Sequence, residues 1–164
     1  MLIDPTWPLC GQINNVLCYF GKRDPITKLR LMRSYCSSLY GSVLWDLSNP
    51  CVGDVCVAWR KGLRRVWNIP HHTHSYLLAP LCGTLPLRDE LCWRFMNFIH
   101  SCLSSDSDIV RFVAHHGVFC RSMLSPIGRN AQYCCSRYNA NLASFSLLNK
   151  SSIWRHVRNV HGVL

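Results

Sequence analysis

Four cationic side chains lie close together in the stretch of chain from residue 52 to residue 67. In a helix that turns about 100° per residue, Arg60, Lys61, Arg64 and Arg65 fall on one arc, and the apolar residues fall on the opposite arc. Like charges at this spacing repel one another by roughly a few tenths of a kcal/mol, and a row of phosphates would relieve that repulsion. These four residues are therefore our candidate nucleic-acid-binding residues. The competing interpretations are a solvated face that keeps an apolar helix soluble and a surface for an acidic protein.

Three histidines, His71, His72 and His74, are the first candidates for a metal site. In an extended chain His72 and His74 would point to the same side, as some pairs of zinc ligands do. The prolines around them and the lack of a third ligand at a suitable spacing favour a loop instead. We therefore predict no metal site, and a small zinc-dependent hydrolase that uses these histidines is the least favoured function.

The chain contains eleven cysteines, an odd number that does not suit a framework of disulfides. Cys134 and Cys135 are followed by His156 and His161, but adjacent thiols chelate a single tetrahedral ion poorly. We expect reduced cysteines that pack as small apolar side chains. The sequence also lacks a Gly-rich phosphate-binding loop and a Gly-x-Ser-x-Gly element. It predicts no catalytic residue, no cofactor and no small-molecule substrate.

The composition points to an anionic partner. Of the 164 residues, 49% are hydrophobic and only 16% are charged, against about 25% in ordinary soluble domains. The formal net charge is +10, and residues 109–164 contain seven Lys or Arg without a single Asp or Glu. An excess of positive charge of this kind attracts polyanions, although it does not distinguish one nucleotide sequence from another.

Neither a membrane span nor a secretory signal is expected. The longest stretch without a charged residue runs from Val66 to Leu87 and contains three prolines and three histidines. Prolines leave backbone groups unsatisfied in lipid, so this stretch does not suit a membrane. The first eight residues contain two prolines and no basic residue, unlike a signal peptide. We expect an intracellular protein, of the nucleus or cytoplasm, that is not secreted.

Helical periodicity dominates the first two thirds of the chain. A first helix is predicted after Asp24, which suits an N-cap because Pro25 follows at the first helical position. Gly41 is expected to break or bend it, and Asn49-Pro50 ends the segment. Its apolar stripe recurs at steps of three and four residues and comprises Ile26, Leu29, Met32, Cys36, Leu39, Val43 and Leu47.

Two further helices follow. The second is predicted from Val52 to Trp67 and contains the four candidate cations. The third begins near Pro86 and has Asp89 and Glu90 in its first turn, where acidic side chains interact favourably with the helix dipole. Its apolar stripe comprises Leu87, Leu91, Phe95, Phe98 and Cys102.

A fourth helix is predicted after a Ser-rich stretch, with Ser105 and Asp108 as a capping box and Gly117 as the stop. One face of this helix is predicted to comprise Ile109, Phe112, Val113 and His116. Residues 121–141 are polar and rich in turn-forming residues, and a last helix is predicted from about Ser152 to Val160.

Strand-like alternation is scarce, so the predicted fold class is all-α. We expect an irregular helical domain of about four to six helices with a turn-rich C-terminal third. Residues 1–120 would form the helical region, and residues 121–164 would form a basic, turn-rich segment that belongs to the same compact unit.

Four segments together resemble the region that follows the palm in reverse transcriptases of non-LTR (LINE-type) retrotransposons. One element of that family is Tyr-Gly-x-x-x-Trp at the end of a helix, matched here by Tyr40, Gly41 and Trp45. The resemblance covers about residues 11 to 140. The segments are LRLMRSYCSSLYGSVLWDLS (29–48), AWRKGLRRVWNIPHHTHSYLLAPL (58–81), RFMNFIHSCLSSDSDIVRFVAHHG (94–117) and SPIGRNAQYCCSRY (125–138).

The second segment is the most specific of the four. It is similar to the family's Trp-Arg/Lys-x-x-Arg-x-x-x-x-Pro helix, with Trp59, Arg60 and Arg64 in place and Pro70 near the expected proline. The Thr73-His74 pair and the Leu-rich turn after it also match.

The resemblance implies thumb and post-thumb sequence. In the family, polymerisation depends on aspartates of the palm, and this chain contains neither an Asp-Asp dipeptide nor an endonuclease domain. We therefore expect no enzymatic activity from the chain alone. We expect contacts to the backbone of RNA, DNA or a hybrid, with Trp59 and Trp67 in the core, and packing against the palm of a parent polymerase. The alternative is a helical protein–protein adaptor derived from a transposable element.

Overall fold

The computed structural model describes residues 6–36, 39, 41–120, 124–142 and 149–161. No strand is present among these residues, which confirms the all-α prediction. Their eight α-helices are more than the predicted four to six. The helices are α1 (Thr6–Tyr19), α2 (Pro25–Cys36), α3 (Pro50–Trp67), α4 (Leu78–Cys82), α5 (Leu87–Leu103), α6 (Asp108–His115), α7 (Pro126–Arg137) and α8 (Lys150–His161).

Three short helical turns also lie in the described part of the chain. Two are 3-10 turns, Ser42–Leu44 and Ser75–Leu77, and one is a π-helical turn, His116–Cys120, that follows α6 directly. The residues form two compact units, one drawn from Met1–Tyr40 and Asn49–Leu87 and the other from Gly41–Ser48 and Arg88–Leu164. No helix in the described ranges combines the length and the apolar character that a membrane crossing requires.

Helix α1 was not predicted from the sequence. Leu9, Ile13 and Val16 recur at helical steps and are all buried, and α1 packs against both α2 and α3. Pro8 lies in its first turn, where the missing N–H costs nothing because no helical partner exists there. A proline near a chain start therefore did not exclude a helix.

The start of α2 is as predicted, but its end is not. Asp24 Oδ1 accepts a hydrogen bond from Thr27 N at 2.9 Å, as expected of an N-cap. The helix ends at Cys36, and the predicted stripe to Leu47 does not continue as one helix. Leu39 and Gly41 both have positive φ, 31° and 73°, and a left-handed backbone interrupts a right-handed helix.

Helix α3 confirms the predicted second helix and begins two residues earlier. Asn49, predicted to end the preceding segment, is instead the N-cap of α3, because its Oδ1 accepts from Cys51 N at 2.9 Å. Asn68 ends the helix in a left-handed conformation. Gly62 lies where α3 meets α1 and α2, and a Cβ there would meet Met32 Cε at 2.9 Å and Ile13 Cδ1 at 3.0 Å.

Helices α5 and α8 confirm the predicted third and last helices, but a turn-rich stretch at 121–141 was a wrong prediction. Residues 126–137 of that stretch form α7. The helical pattern of this stretch is hard to recognise from the sequence because its buried face includes a polar residue, Asn130. Its Oδ1 accepts from Leu47 N at 2.9 Å, and its Nδ2 donates to Trp45 O at 2.6 Å. A polar residue that bonds the backbone of a distant turn can be buried at low cost.

Helix α6 departs from its prediction at both ends. The residue at its N-cap is Ser107, and no Ser105–Asp108 capping box forms. Ser105 Oγ accepts instead from Ser107 N at 3.2 Å. Gly117 does not stop the helix, because it lies inside the π-helical turn.

The predicted apolar face of α6 forms, and most of it is exposed. Ile109, Phe112 and Val113 are 76%, 70% and 56% exposed. The residues of this region that are buried are Ala114 and Val118. The helix is amphipathic as predicted, but nothing in the described part of the chain covers most of its apolar face.

Candidate nucleic-acid interface

The four candidate cations lie on the side of α3 away from its buried face. The buried residues of α3 are Val52, Val55, Cys56, Trp59, Gly62, Leu63 and Val66. Lys61 and Arg65 are exposed, and Arg60 and Arg64 are half-buried. Arg64 and Arg65 belong to the last turn, where the partial negative charge of the free carbonyls offsets some of the repulsion.

Arg64 forms hydrogen bonds with the His-rich loop (residues 70–75) that follows α3. Its Nε and Nη2 donate to Thr73 O at 3.3 and 2.8 Å, and Nη2 also donates to Ser75 Oγ at 2.9 Å. The guanidinium thus holds the loop against the C-terminal half of α3. Other N–H groups of Arg64 remain for a further acceptor, because a guanidinium has five donors.

Arg65 joins two helices. Its Nη1 donates to Asn14 Oδ1 of α1 at 2.5 Å. Like Arg64, it therefore has a structural role that the sequence did not reveal. Asn14 lies 51 residues away, so helical spacing alone could not have indicated the contact.

Arg60 and Lys61 differ from the other two cations. Neither makes a hydrogen bond or ion pair with the residues that the structure describes. Asp54, on the same face of α3, is exposed and is not paired with either of them. Arg60 and Lys61 are therefore the two members of the predicted site whose charges the described protein does not neutralise.

The two tryptophans of α3 are turned towards the protein. Trp59 is buried, which confirms its predicted place in the core. Trp67 is half-buried, and its indole N–H is buried without a hydrogen-bond partner among the described residues. Burial raises the pKa of the neighbouring Cys82 thiol.

The three histidines lie in the loop that Arg64 holds. His71 and His72 are edge to face at 5.4 Å between ring centroids, and His74 stacks on Tyr76 at 5.3 Å. Within the described ranges, no three His, Cys, Asp or Glu side chains come together as a metal site would require.

The basic residues of the C-terminal region are not all available to a ligand. Arg111 pairs with Asp108, Arg129 donates to Leu124 O at 3.4 Å, and Arg137 pairs with a carboxylate on α5. Arg121 lies outside the described residues. The basic residues exposed on α8 are Lys150, Arg155 and Arg158.

A buried polar cluster is the main feature that sequence reasoning missed. Asp89, read as a first-turn acid of α5, is 1% exposed. It accepts from Arg137 Nε at 2.9 Å, from Arg137 Nη2 at 3.2 Å and from Tyr138 Oη at 2.8 Å. Burial acts to lower the pKa of Arg137, but the hydrogen bonds and charge of Asp89 outweigh it and raise that pKa. Burial, followed by the charges of Cys92 and Asp89, raises the pKa of Tyr138.

Two cysteines extend this cluster. The thiol of Cys134 on α7 donates a hydrogen bond to the sulfur of Cys92 on α5. That bond lowers the pKa of Cys92, although burial acts in the opposite direction. The same bond, together with burial, raises the pKa of Cys134.

Comparison with known proteins adds no relative, because no family model, curated protein or solved structure matches the chain.

Proposed function

We propose that the chain binds the sugar–phosphate backbone of RNA, DNA or a hybrid through the cationic face of α3. The observation that carries this proposal is the pair Arg60 and Lys61, for which the described residues provide no counter-charge. Phosphates bound there would release condensed counterions, which is the main source of sequence-independent affinity.

Arg64 and Arg65 would contribute differently from that pair. Each guanidinium is oriented by a protein hydrogen bond, so less side-chain entropy is lost when a phosphate binds. We expect Arg60 and Lys61 to supply most of the affinity. Arg64 and Arg65 would fix the direction in which the nucleic-acid backbone crosses α3.

The binding test uses a fluorescent duplex and salt titration by anisotropy. If about four phosphates are contacted, affinity should fall roughly a hundredfold between about 50 and 200 mM salt. Replacing Arg60 and Lys61 by Ala should reduce the slope of log affinity against log salt by about two, equally for all sequences. These two positions suit the test because neither side chain has a described protein partner whose loss would disturb the fold.

Lys22 and Arg23 provide the matched control. Both are exposed in the loop between α1 and α2, and replacing them removes the same charge from a different surface. The control variant should keep the wild-type salt slope to within about half a phosphate contact. Unchanged binding by the Arg60→Ala, Lys61→Ala variant, or an equal loss in both variants, would show that the face of α3 is not the site.

We further propose that the chain is a thumb and post-thumb piece of a non-LTR retrotransposon reverse transcriptase, without catalytic activity of its own. The support is the Trp59-Arg60 segment with Arg64, and the Thr73 that Arg64 binds. Purified chain should not extend a primer on an RNA template, and extension would contradict this proposal. The genomic DNA upstream of the coding sequence should contain a palm with its Asp-Asp turn, intact or interrupted by stops.

A helical adaptor for another protein is the second candidate, and the exposed apolar face of α6 favours it. Patches of this kind mark protein contacts in soluble chains. With a photo-crosslinking residue in place of Phe112, one discrete protein should be labelled. Excess wild-type chain should compete for that labelling, and an Ile109→Ser, Val113→Ser chain should not. Labelling of many proteins that excess wild-type chain does not reduce would exclude this candidate.

The expected compartment is the nucleus or the cytoplasm. Ten of the eleven cysteines are free thiols in the described part of the chain, which is typical of a reducing environment.

A further inference from the structure

Helices α5 and α7 face each other through side chains that repeat at one-turn intervals. Asp89 and Cys92 are three residues apart on α5, and Cys134 precedes Arg137 by three residues on α7. Residues at this spacing lie on the same face of a helix. Because Asp89 binds Arg137, one turn further along α5 and one turn back along α7 should bring Cys92 opposite Cys134. Both cysteines are fully buried, and the pKa of each thiol depends on the other, as this placement requires.

The surroundings of the two sulfurs are not equivalent. Cys92 accepts a hydrogen bond from the Cys134 thiol, and the Arg137 charge also favours its thiolate form. Only the Asp89 carboxylate opposes it among the neighbouring charges. Cys134 is the donor of the pair. The arrangement therefore distinguishes an attacking sulfur, Cys92, from a resolving sulfur, Cys134.

We propose that Cys92 and Cys134 form an oxidisable dithiol that hydrogen peroxide converts into a disulfide between α5 and α7. In the first step the Cys92 thiol loses its proton, and the thiolate attacks one peroxide oxygen. The O–O bond breaks, Cys92 becomes a sulfenic acid, and the released hydroxide takes up the proton that Cys92 lost and leaves as water. In the second step the Cys134 sulfur attacks Cys92 Sγ, the S–O bond breaks, and a second water leaves with the Cys134 proton. Two thiols and one peroxide thus give one disulfide and two waters.

Burial selects the oxidant. Cys92 and Cys134 have no exposed surface, so a small reagent should reach their sulfurs far more easily than a bulky one. His156 of α8 lies edge to face on Tyr138 at 5.1 Å and adds to this cover. A bulky disulfide such as oxidised glutathione should therefore react much more slowly than peroxide, which separates this dithiol from the exposed cysteines Cys10 and Cys51.

The test treats the full chain with hydrogen peroxide, blocks the remaining thiols with N-ethylmaleimide, and digests it without reductant for mass spectrometry. The expected product is a peptide pair joined through Cys92 and Cys134 and lighter by two hydrogens. It should be absent from Cys92→Ser and Cys134→Ser chains. It should persist in the Cys135→Ser chain, which tests the buried neighbour of Cys134.

The same reaction in concentrated guanidinium provides the control for folding. There the selectivity for this pair should disappear, because eleven cysteines then compete at random. If the native chain gives the same scattered disulfides as the denatured chain, or if Cys92 joins Cys135 instead, the proposal is overturned. Should either serine variant unfold, the wild-type distribution alone decides, because it requires no substitution.

Discussion

Asp89 shows at the scale of one residue how much its surroundings decide. In the sequence it is an acidic residue in the first turn of a helix, where its interaction with the helix dipole stabilises the fold by a fraction of a kcal/mol. In the structure it is a buried carboxylate that accepts hydrogen bonds from Arg137 and Tyr138. A buried charge is tolerated only when partners replace water, and these two residues do so.

Removing this charge should be costly. We expect Asp89→Asn to lower the free energy of unfolding by about 3 kcal/mol, because it leaves the partly buried Arg137 without its counter-charge. The value is set at the low end for buried pairs, since the Arg137 side chain is 31% exposed and keeps some contact with water. Urea denaturation followed by circular dichroism measures the change.

Glu90 supplies the control one residue away. It pairs with Arg94 at 3.3 Å, but both side chains are partly exposed, and pairs of this kind contribute less than about 1 kcal/mol. Glu90→Gln should therefore leave the denaturation midpoint almost unchanged. Similar losses in both variants would contradict the special role of Asp89.

At the scale of the helix, the N-cap residues of α3 and α6 differ in whether their side chains bond to the first turn. Asn49 at the start of α3 accepts a hydrogen bond from Cys51 N. Ser107 at the start of α6 makes no side-chain cap bond. Sequence rules score both as good N-caps, because they consider residue type and not the rotamer that packing allows.

The two caps should respond differently to alanine. Asn49→Ala should cost about 1 kcal/mol of stability, because it leaves a first-turn N–H without its partner. Ser107→Ala should change the free energy of unfolding by less than about 0.5 kcal/mol. Thermal melts of the two variants beside the wild type measure the difference, and a larger loss at Ser107 would contradict the observed caps.

Glycine offers a second comparison between helices. Gly62 of α3 lies against Met32 and Ile13, both buried, whereas Gly11 of α1 has open space where a Cβ would be. Gly11→Ala should raise the free energy of unfolding by about 0.5 to 1 kcal/mol through helix propensity. Gly62→Ala should lower it by about 1 kcal/mol, because overlap with packed neighbours exceeds that gain. Chemical denaturation of both variants tests the sign, and stabilisation at Gly62 would show that α1 and α2 can move away.

At the scale of the whole molecule, the many hydrophobic residues and the excess of basic residues lie in different places. Most of the large hydrophobic side chains are buried in the cores of the two units, but those on the apolar face of α6 are exposed. The basic excess is partly used inside the protein, by Arg64, Arg65 and Arg137. What remains for a polyanion is concentrated on α3, at Arg60 and Lys61, and on the outside of α8.

The exposed face of α6 should limit solubility. Replacing Ile109 and Phe112 by Ser should raise the soluble concentration and reduce light scattering, because it removes apolar surface that nothing described covers. The free energy of unfolding should change by less than about 1 kcal/mol.

Val118→Ser in the adjoining π-helical turn is the control. It removes a fully buried side chain and should cost about 2 kcal/mol or more. Unchanged scattering in the double variant would show that this face does not drive association.

The sequence by itself determined the features that depend on neighbours within one or two helical turns. These include the all-α class, the Asp24 cap, most of α3, and the segregation of Arg60, Lys61, Arg64 and Arg65 from the apolar residues. Such features are encoded locally, because residues three or four apart on a helix meet whatever the rest of the chain does.

Only the tertiary structure decided which amphipathic faces are covered and which charges have partners. The apolar periodicity of α6 is as clear as that of α3, yet one face is exposed and the other buried. Asp89 meets Arg137 across 48 residues, and Arg65 meets Asn14 across 51. Contacts at such separations depend on how whole helices pack, and local periodicity contains no information about the partner that a face will find.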